Sequence, residues 1–123
     1  IMAQWTGPLS EKRDFIDGLA RYLARMHRCQ VANRDLKGDN LIVSQNWSAQ
    51  HVFSIVNFDG VVIGPVSWRT RVKNLTRLER GVRESATATT TDRLRFLRTY
   101  LGPRFGVQWK KYWRGVSRRV GVD

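Results

Sequence analysis

At 123 residues, 41% hydrophobic and 26% charged, the chain is long enough for one modest core and too apolar to be disordered. Its single cysteine, Cys29, excludes an internal disulfide, no Cys/His cluster suggests zinc, and a reducing compartment is the simpler expectation. The net charge of +12 is lopsided: residues 1–60 hold 7 Lys/Arg against 6 Asp/Glu, whereas residues 61–123 hold 15 against 4. The second half therefore carries the attraction for an anionic partner, whether nucleic acid, acidic lipid or a phosphorylated glycan.

In chain order, Ser10 reads as an N-cap with Glu11 favourably placed in the first turn. Phe15, Leu19, Tyr22, Leu23 and Met26 then recur at three-to-four spacing and predict an amphipathic helix over 11–28. His27 falls on its apolar face as a structural residue, and Cys29 is a small helix-end residue rather than a nucleophile. Val31 and Ala32 lead into the polar loop "NRDLKGDN", residues 33–40. "LIV" at 41–43 and "HVFSIV" at 51–56, opened by His51, flank the turn-rich "SQNWS" and predict a β-hairpin over 41–56. Its two free ends would bring the 33–40 loop beside "NFDG", residues 57–60.

The period then becomes helical again through a basic region, residues 67–120. Trp68, Val72, Leu75, Leu78 and Val82 line one face, while Arg69, Arg71, Lys73, Arg77, Arg80 and Arg83 occupy the rest. A solvated face is the bland reading of these cations; the charge of this half favours contact with an anionic substrate or membrane surface. "SATATTT" at 85–91 is a polar connection. Leu94, Leu97, Tyr100 and Leu101 mark a third helix, stopped by Gly102 and Pro103, and Trp109, Tyr112, Trp113, Val116 and Val120 a fourth. The tryptophans are mainly core by spacing, with Trp47 the most exposed. The longest apolar stretch, "VVIGPVSW", is too short to span a bilayer, and no secretion signal gives meaning to the sequons at Asn46 and Asn74. The fold class is α+β, mostly α, with a minor β element and no internal repeat.

The chemistry concentrates in the polar loop. Arg34 followed by Asp35-Leu36-Lys37-Gly38-Asp39-Asn40 fits the D-L-x-x-x-N pattern of a kinase catalytic loop. Phosphoryl transfer asks the protein mainly for positioning and charge neutralisation. Asp35 would orient an acceptor hydroxyl and take its proton, Lys37 would touch the moving phosphoryl group, and Asn40 would offer an amide oxygen to Mg²⁺. A second acid at the far end of the hairpin would complete the metal site, because Mg²⁺ takes one or two carboxylates plus phosphate oxygens. The bland alternative is an ordinary Asx-rich turn; the flanking hairpin favours the kinase reading.

The stretch "LARMHRCQVANRDLKGDNLIV" followed by "IVNFDGV" resembles the C-terminal lobe of a protein-kinase-like fold and, more narrowly, the lipopolysaccharide kinases that act on Kdo and inner-core heptose. In that family the loop typically reads H-R-D-L-K-x-x-N and the later metal motif I-D-[LF]-D; "DRLRFLRTYLG" at 92–102 extends the match. The resemblance implies ATP and Mg²⁺ as cofactors, with Arg34, Asp35 and Lys37 catalytic, Lys37 and Asn40 at the nucleotide phosphates, and Asn40, Asn57 and Asp59 at the metal. It implies lipopolysaccharide or a lipid A-core glycan as substrate, and a cytoplasmic setting peripheral to the inner face of the inner membrane.

Three departures bear on this reading. Asn33 stands at the family's His position, where an amide can still buttress the loop. Asn57 stands where a metal-binding Asp is expected, and Asp59, on the same face of an extended chain, would supply the missing charge. Only 34 residues precede Asp35, with no Gly-rich loop or strand-borne Lys, so the nucleotide-covering lobe is expected to be absent and activity of this fragment alone poor. The competing readings are a catalytically impaired pseudokinase or remnant, motivated by Asn33 and Asn57, and a basic nucleic-acid-binding domain. The latter rests on charge alone, and no specific nucleic-acid partner is expected.

Overall fold

The apolar spacing of the first helix decides what the rest of the chain packs against. In the structure, a computed structural model that describes residues 9–33, 36, 41–45, 51–55, 59–85 and 89–120, helix α1 runs over Leu9–Arg28. It buries Phe15, Ile16, Leu19, Ala20, Leu23 and Met26. The helix already contains Ser10, which therefore does not cap it as the sequence suggested. A serine in the first turn loses little, since its N–H is among those no helix carbonyl reaches.

α1 ends where Gln30 adopts φ 62, the left-handed conformation common just past a helix C-terminus, with its N–H donated to the His27 carbonyl at 3.1 Å. The chain then enters strand β1 (Val31–Asn33), which pairs antiparallel with β4 (Val61–Ile63), Val31 opposite Ile63 and Asn33 opposite Val61. The hairpin β2 (Leu41–Gln45) and β3 (His51–Ile55) forms as expected, with Leu41 opposite Ile55 and Gln45 opposite His51. The sequence reading of a single ribbon is thus corrected to two, among the described residues.

Phe53 fixes the hairpin to α1. It is buried, with its ring centroid 5.6 Å from that of Phe15 and 5.8 Å from that of Tyr22. Gly18 permits this approach, because a Cβ there would lie 3.1 Å from the Phe53 ring.

Helix α2 (Trp68–Ser85) is capped by Ser67, whose Oγ accepts the Thr70 N–H at 3.2 Å. Helix α3 (Thr90–Leu101) opens on a capping box: Thr89 Oγ1 accepts the Asp92 N–H at 3.1 Å, and Asp92 accepts the Thr89 N–H at 3.0 Å. Gly102, at φ 57, closes α3 as expected and donates its N–H to the Arg98 carbonyl. A 3₁₀ turn over Gly102–Arg104 leads to helix α4 (Phe105–Val120). α1 packs on α3, and α4 packs on both α2 and α3. Val72, Leu75 and Leu78 of α2, Leu97, Tyr100 and Leu101 of α3, and Tyr112 and Val116 of α4 complete the core.

Two polar ties fasten α3 to α1. Lys12 pairs with Asp92 at 2.7 Å, and Asp17 accepts from Arg95 at 3.1 Å and from Thr99 at 3.0 Å. Burial would raise the Asp92 carboxyl, but hydrogen bonds from Lys12 and Thr89 outweigh it and hold it below the ordinary value. The arginine face of α2 is not simply solvated. Arg71 turns inward to Tyr100, and Arg80 donates to the Arg119 carbonyl at 2.6 Å. Among the described residues no helix is long and apolar enough to cross a membrane.

Candidate functional site

The two ribbons bracket the segments singled out by the sequence. Asn33 faces Val61 across β1–β4, and Leu41 faces Ile55 across β2–β3. The chain therefore passes between the same two ribbons twice, through 34–40 and through 56–60, and the flanking residues of these segments are tied together in pairs. Arg34, Asp35, Lys37, Asn40 and Asn57 lie outside the described residues. Leu36, between Asp35 and Lys37, is fully buried and belongs to the main core, so the middle of the D-L-K triplet is anchored. Asp59 is exposed in the turn that precedes β4. Its carboxylate is a hard oxygen donor of the kind Mg²⁺ takes. Among the described residues no group of three or more His, Cys, Asp or Glu could hold a metal.

Beneath the start of the loop lies a buried polar chain whose directions can be assigned. The Asn33 backbone N–H donates to Asn74 Oδ1 at 3.2 Å. A backbone N–H can only donate, which fixes the orientation of the Asn74 amide. The same oxygen faces His27 Nε2 at 3.1 Å, so Nε2 carries the proton. His27 Nδ1 then accepts from the Tyr100 hydroxyl at 2.5 Å, and that hydroxyl accepts from Arg71 Nη1 at 3.3 Å. Each of the four donors named here, Asn33 N–H, His27 Nε2, the Tyr100 hydroxyl and Arg71 Nη1, meets an acceptor. His27, Asn33 and Asn74 are each almost wholly buried, at 1%, 0% and 2% exposure, where an unmet polar group is most costly.

Burial pushes His27 down to about 4, against a hydrogen bond to Asn74 that raises it, with the nearby Arg71 charge adding to the fall. Burial raises the Tyr100 phenol well above its ordinary value, opposed by the charge and hydrogen bond of Arg71. Both rings are therefore neutral around pH 7, as the assigned hydrogen bonds require.

The sequence matches the Lipopolysaccharide kinase (Kdo/WaaP) family over residues 1–100. The chain belongs to that family. A solved structure described as WaaP in complex with acyl carrier protein is similar to this chain, with a TM-score of 0.76 and 22% identity over 94% of it. At that identity the likeness shows a shared fold, and the chain spans about half of the solved neighbour, 51%. No curated protein matches the chain.

For this Kdo/WaaP family member, the sequence reading missed the support of the loop. Asn74 was visible only as a sequon, Tyr100 as an apolar marker of α3, and Arg71 as one of many surface cations. The available signal was an amide between Val72 and Leu75, beside the apolar face of the helix. His27 is structural, as expected, and makes two side-chain hydrogen bonds.

The neutral, buried His27 predicts a pH dependence of stability. The unfolded chain protonates this ring from about 6.5 downward and the folded chain only near 4. Between those values the unfolded state holds more protons, so stability falls as pH falls, by about 3 kcal/mol in all, and this loss levels off below the lower value. Urea unfolding at pH 7, 5.5 and 4.5 should show midpoints dropping in order. A flat profile over that window would contradict the assignment of a neutral buried ring.

Proposed function

We propose that this chain forms the C-terminal-lobe part of an ATP- and Mg²⁺-dependent phosphotransferase that phosphorylates a sugar hydroxyl of the lipopolysaccharide inner core, on Kdo or heptose. Asp35 orients the acceptor hydroxyl and takes its proton, Lys37 contacts the phosphoryl group, Arg34 completes the catalytic set, and Asn40 with Asn57 or Asp59 would hold the metal. When bound, Mg²⁺ neutralises charge on the nucleotide phosphates. The observation that carries this reading is the double pairing of anchors, Asn33 with Val61 and Leu41 with Ile55, around the two segments that bear these residues. Phosphoryl transfer depends on holding donors in fixed positions, which is what a segment tied at both ends offers. Family membership supplies the substrate class.

Asn57 favours a second reading, a catalytically impaired relative, because an amide is a weaker Mg²⁺ ligand than a carboxylate. Asn33 argues less strongly for it, since the bond to Asn74 comes from the backbone N–H of that position. The two readings separate in the full-length protein through Asn57→Asp. If Asp59 already supplies the charge, wild type transfers the γ-phosphate of ATP to inner-core lipopolysaccharide, and the variant binds Mg²⁺ with little change. If the protein is impaired, wild type is silent and the variant gains metal affinity by about tenfold or more. Absence of Mg²⁺-dependent nucleotide binding in both proteins would remove the phosphotransfer reading.

A further inference from the structure

Helix α4 contains no acidic residue, and its cations are not scattered. Val107, Lys111, Arg114 and Arg118 follow one another at helical spacing on one side, with Lys110 beside them. Like charges three or four residues apart destabilise a helix, so the sequence maintains this stripe against its own repulsion. With Arg69 from α2 and Arg119, these side chains line a cleft of about 520 Å³ between the start of α2 and α4, with Trp68 and Gly115 also in its wall. Lys111 lies 4.5 Å from the Trp68 ring centroid and Arg119 lies 6.0 Å from it, so two of the cations are held against an aromatic surface. No acidic side chain lines the cleft, and Arg69, Lys110, Lys111, Arg114 and Arg118 form no ion pair among the described residues. At its edge Val107 is 90% exposed, an apolar side chain among charges.

We infer that this cleft docks the protein on an anionic bilayer by seating the phosphate-bearing headgroup of a lipid. Its volume suits a small group rather than a duplex or a protein helix. Its walls answer a phosphate, and an exposed valine beside cations suits the boundary between headgroups and acyl chains. No residue of the two ribbons lines the cleft, and lipid docking does not depend on the phosphotransfer reading, because it is measured without nucleotide.

The test is flotation of the full-length protein with phosphatidylcholine vesicles, with or without added phosphatidylglycerol. Three proteins are compared: wild type; the cleft variant Lys111→Gln, Arg114→Gln, Arg118→Gln; and a control of equal charge, Arg13→Gln, Arg21→Gln, Arg25→Gln, on exposed positions of α1. Matching thermal unfolding midpoints establish that all three fold. Wild type should bind only the anionic vesicles, the cleft variant should bind them roughly a hundredfold more weakly, and the control should stay within about threefold of wild type. Equal losses in both variants would reduce the cleft to diffuse charge and overturn the inference. Release from vesicles by glycerol phosphate, at matched ionic strength, would reassign the cleft to a soluble phosphorylated ligand. Cleft-dependent binding of a soluble acidic protein, with no vesicle binding, would overturn it in favour of a protein partner.

Discussion

Asp35→Ala in the full-length protein is expected to lower phosphotransfer turnover by roughly two to four orders of magnitude, the usual contribution of a positioned general base. Its unfolding midpoint should stay near that of wild type. The reason lies next door: Leu36, with no exposed surface, ties this loop to the core. Leu36→Ala is the matched comparison. Emptying a fully buried leucine site costs about 2–5 kcal/mol, so that variant should lose stability and activity together. Asp35→Asn sharpens the contrast, since it keeps the shape of the side chain and removes its charge, and with it the ability to take a proton. The measurements are initial rates of phosphate transfer to inner-core lipopolysaccharide and urea unfolding curves for all three variants. Wild-type turnover in Asp35→Ala would remove Asp35 from the chemistry. Unfolding of Asp35→Ala as severe as that of Leu36→Ala would make it a structural residue.

How far the sequence foretold the structure depends on the range of the interaction concerned. Periodicity located the four α-helices of the described residues, because the face formed by Phe15, Leu19 and Leu23, or by Val72, Leu75 and Leu78, is written within two or three turns. The stop at Gly102 is equally local, a single residue at positive φ. The capping box of Thr89 and Asp92 was also legible, as a Thr with an acid three residues on, but the surrounding threonines made the segment read as a polar connection. The β1–β4 ribbon had no comparable signal. Each strand has three residues, no turn joins them directly, and Val61–Ile63 looks like the tail of an apolar run. The buried route from Arg71 to Asn33 was equally hidden, since periodicity reports which face is buried and not which distant group meets it. For the candidate site, the hairpin that closes one side was foretold and the ribbon that closes the other was not. The roles proposed for the residues between them rest on family resemblance.

The buried route also carries the second large expected effect, on Asn74. Its side-chain oxygen accepts from both Asn33 N–H and His27 Nε2, so Asn74→Leu leaves two buried polar groups unmet at once. A tautomer switch cannot rescue His27, because a bare Nε2 facing a leucine is as unmet as a protonated one. At about 1–3 kcal/mol for each orphaned group, the variant should lose on the order of 4 kcal/mol. Since Asn33 directly precedes Arg34 and Asp35, the loss should appear in kcat more than in KM, measured at a temperature where the variant remains folded. Asn74→Asp separates this account from simple damage to α2. A carboxylate still accepts both hydrogen bonds, so much of the stability should return. The new negative charge beside His27 should also raise that ring's pKa and flatten the loss of stability between pH 6.5 and 4. A variant series in which Leu and Asp at position 74 behave alike, with unchanged pH profiles, would show that Asn74 holds neither the strand nor the histidine. The loop would then have to be positioned by its two ribbons and Leu36 alone.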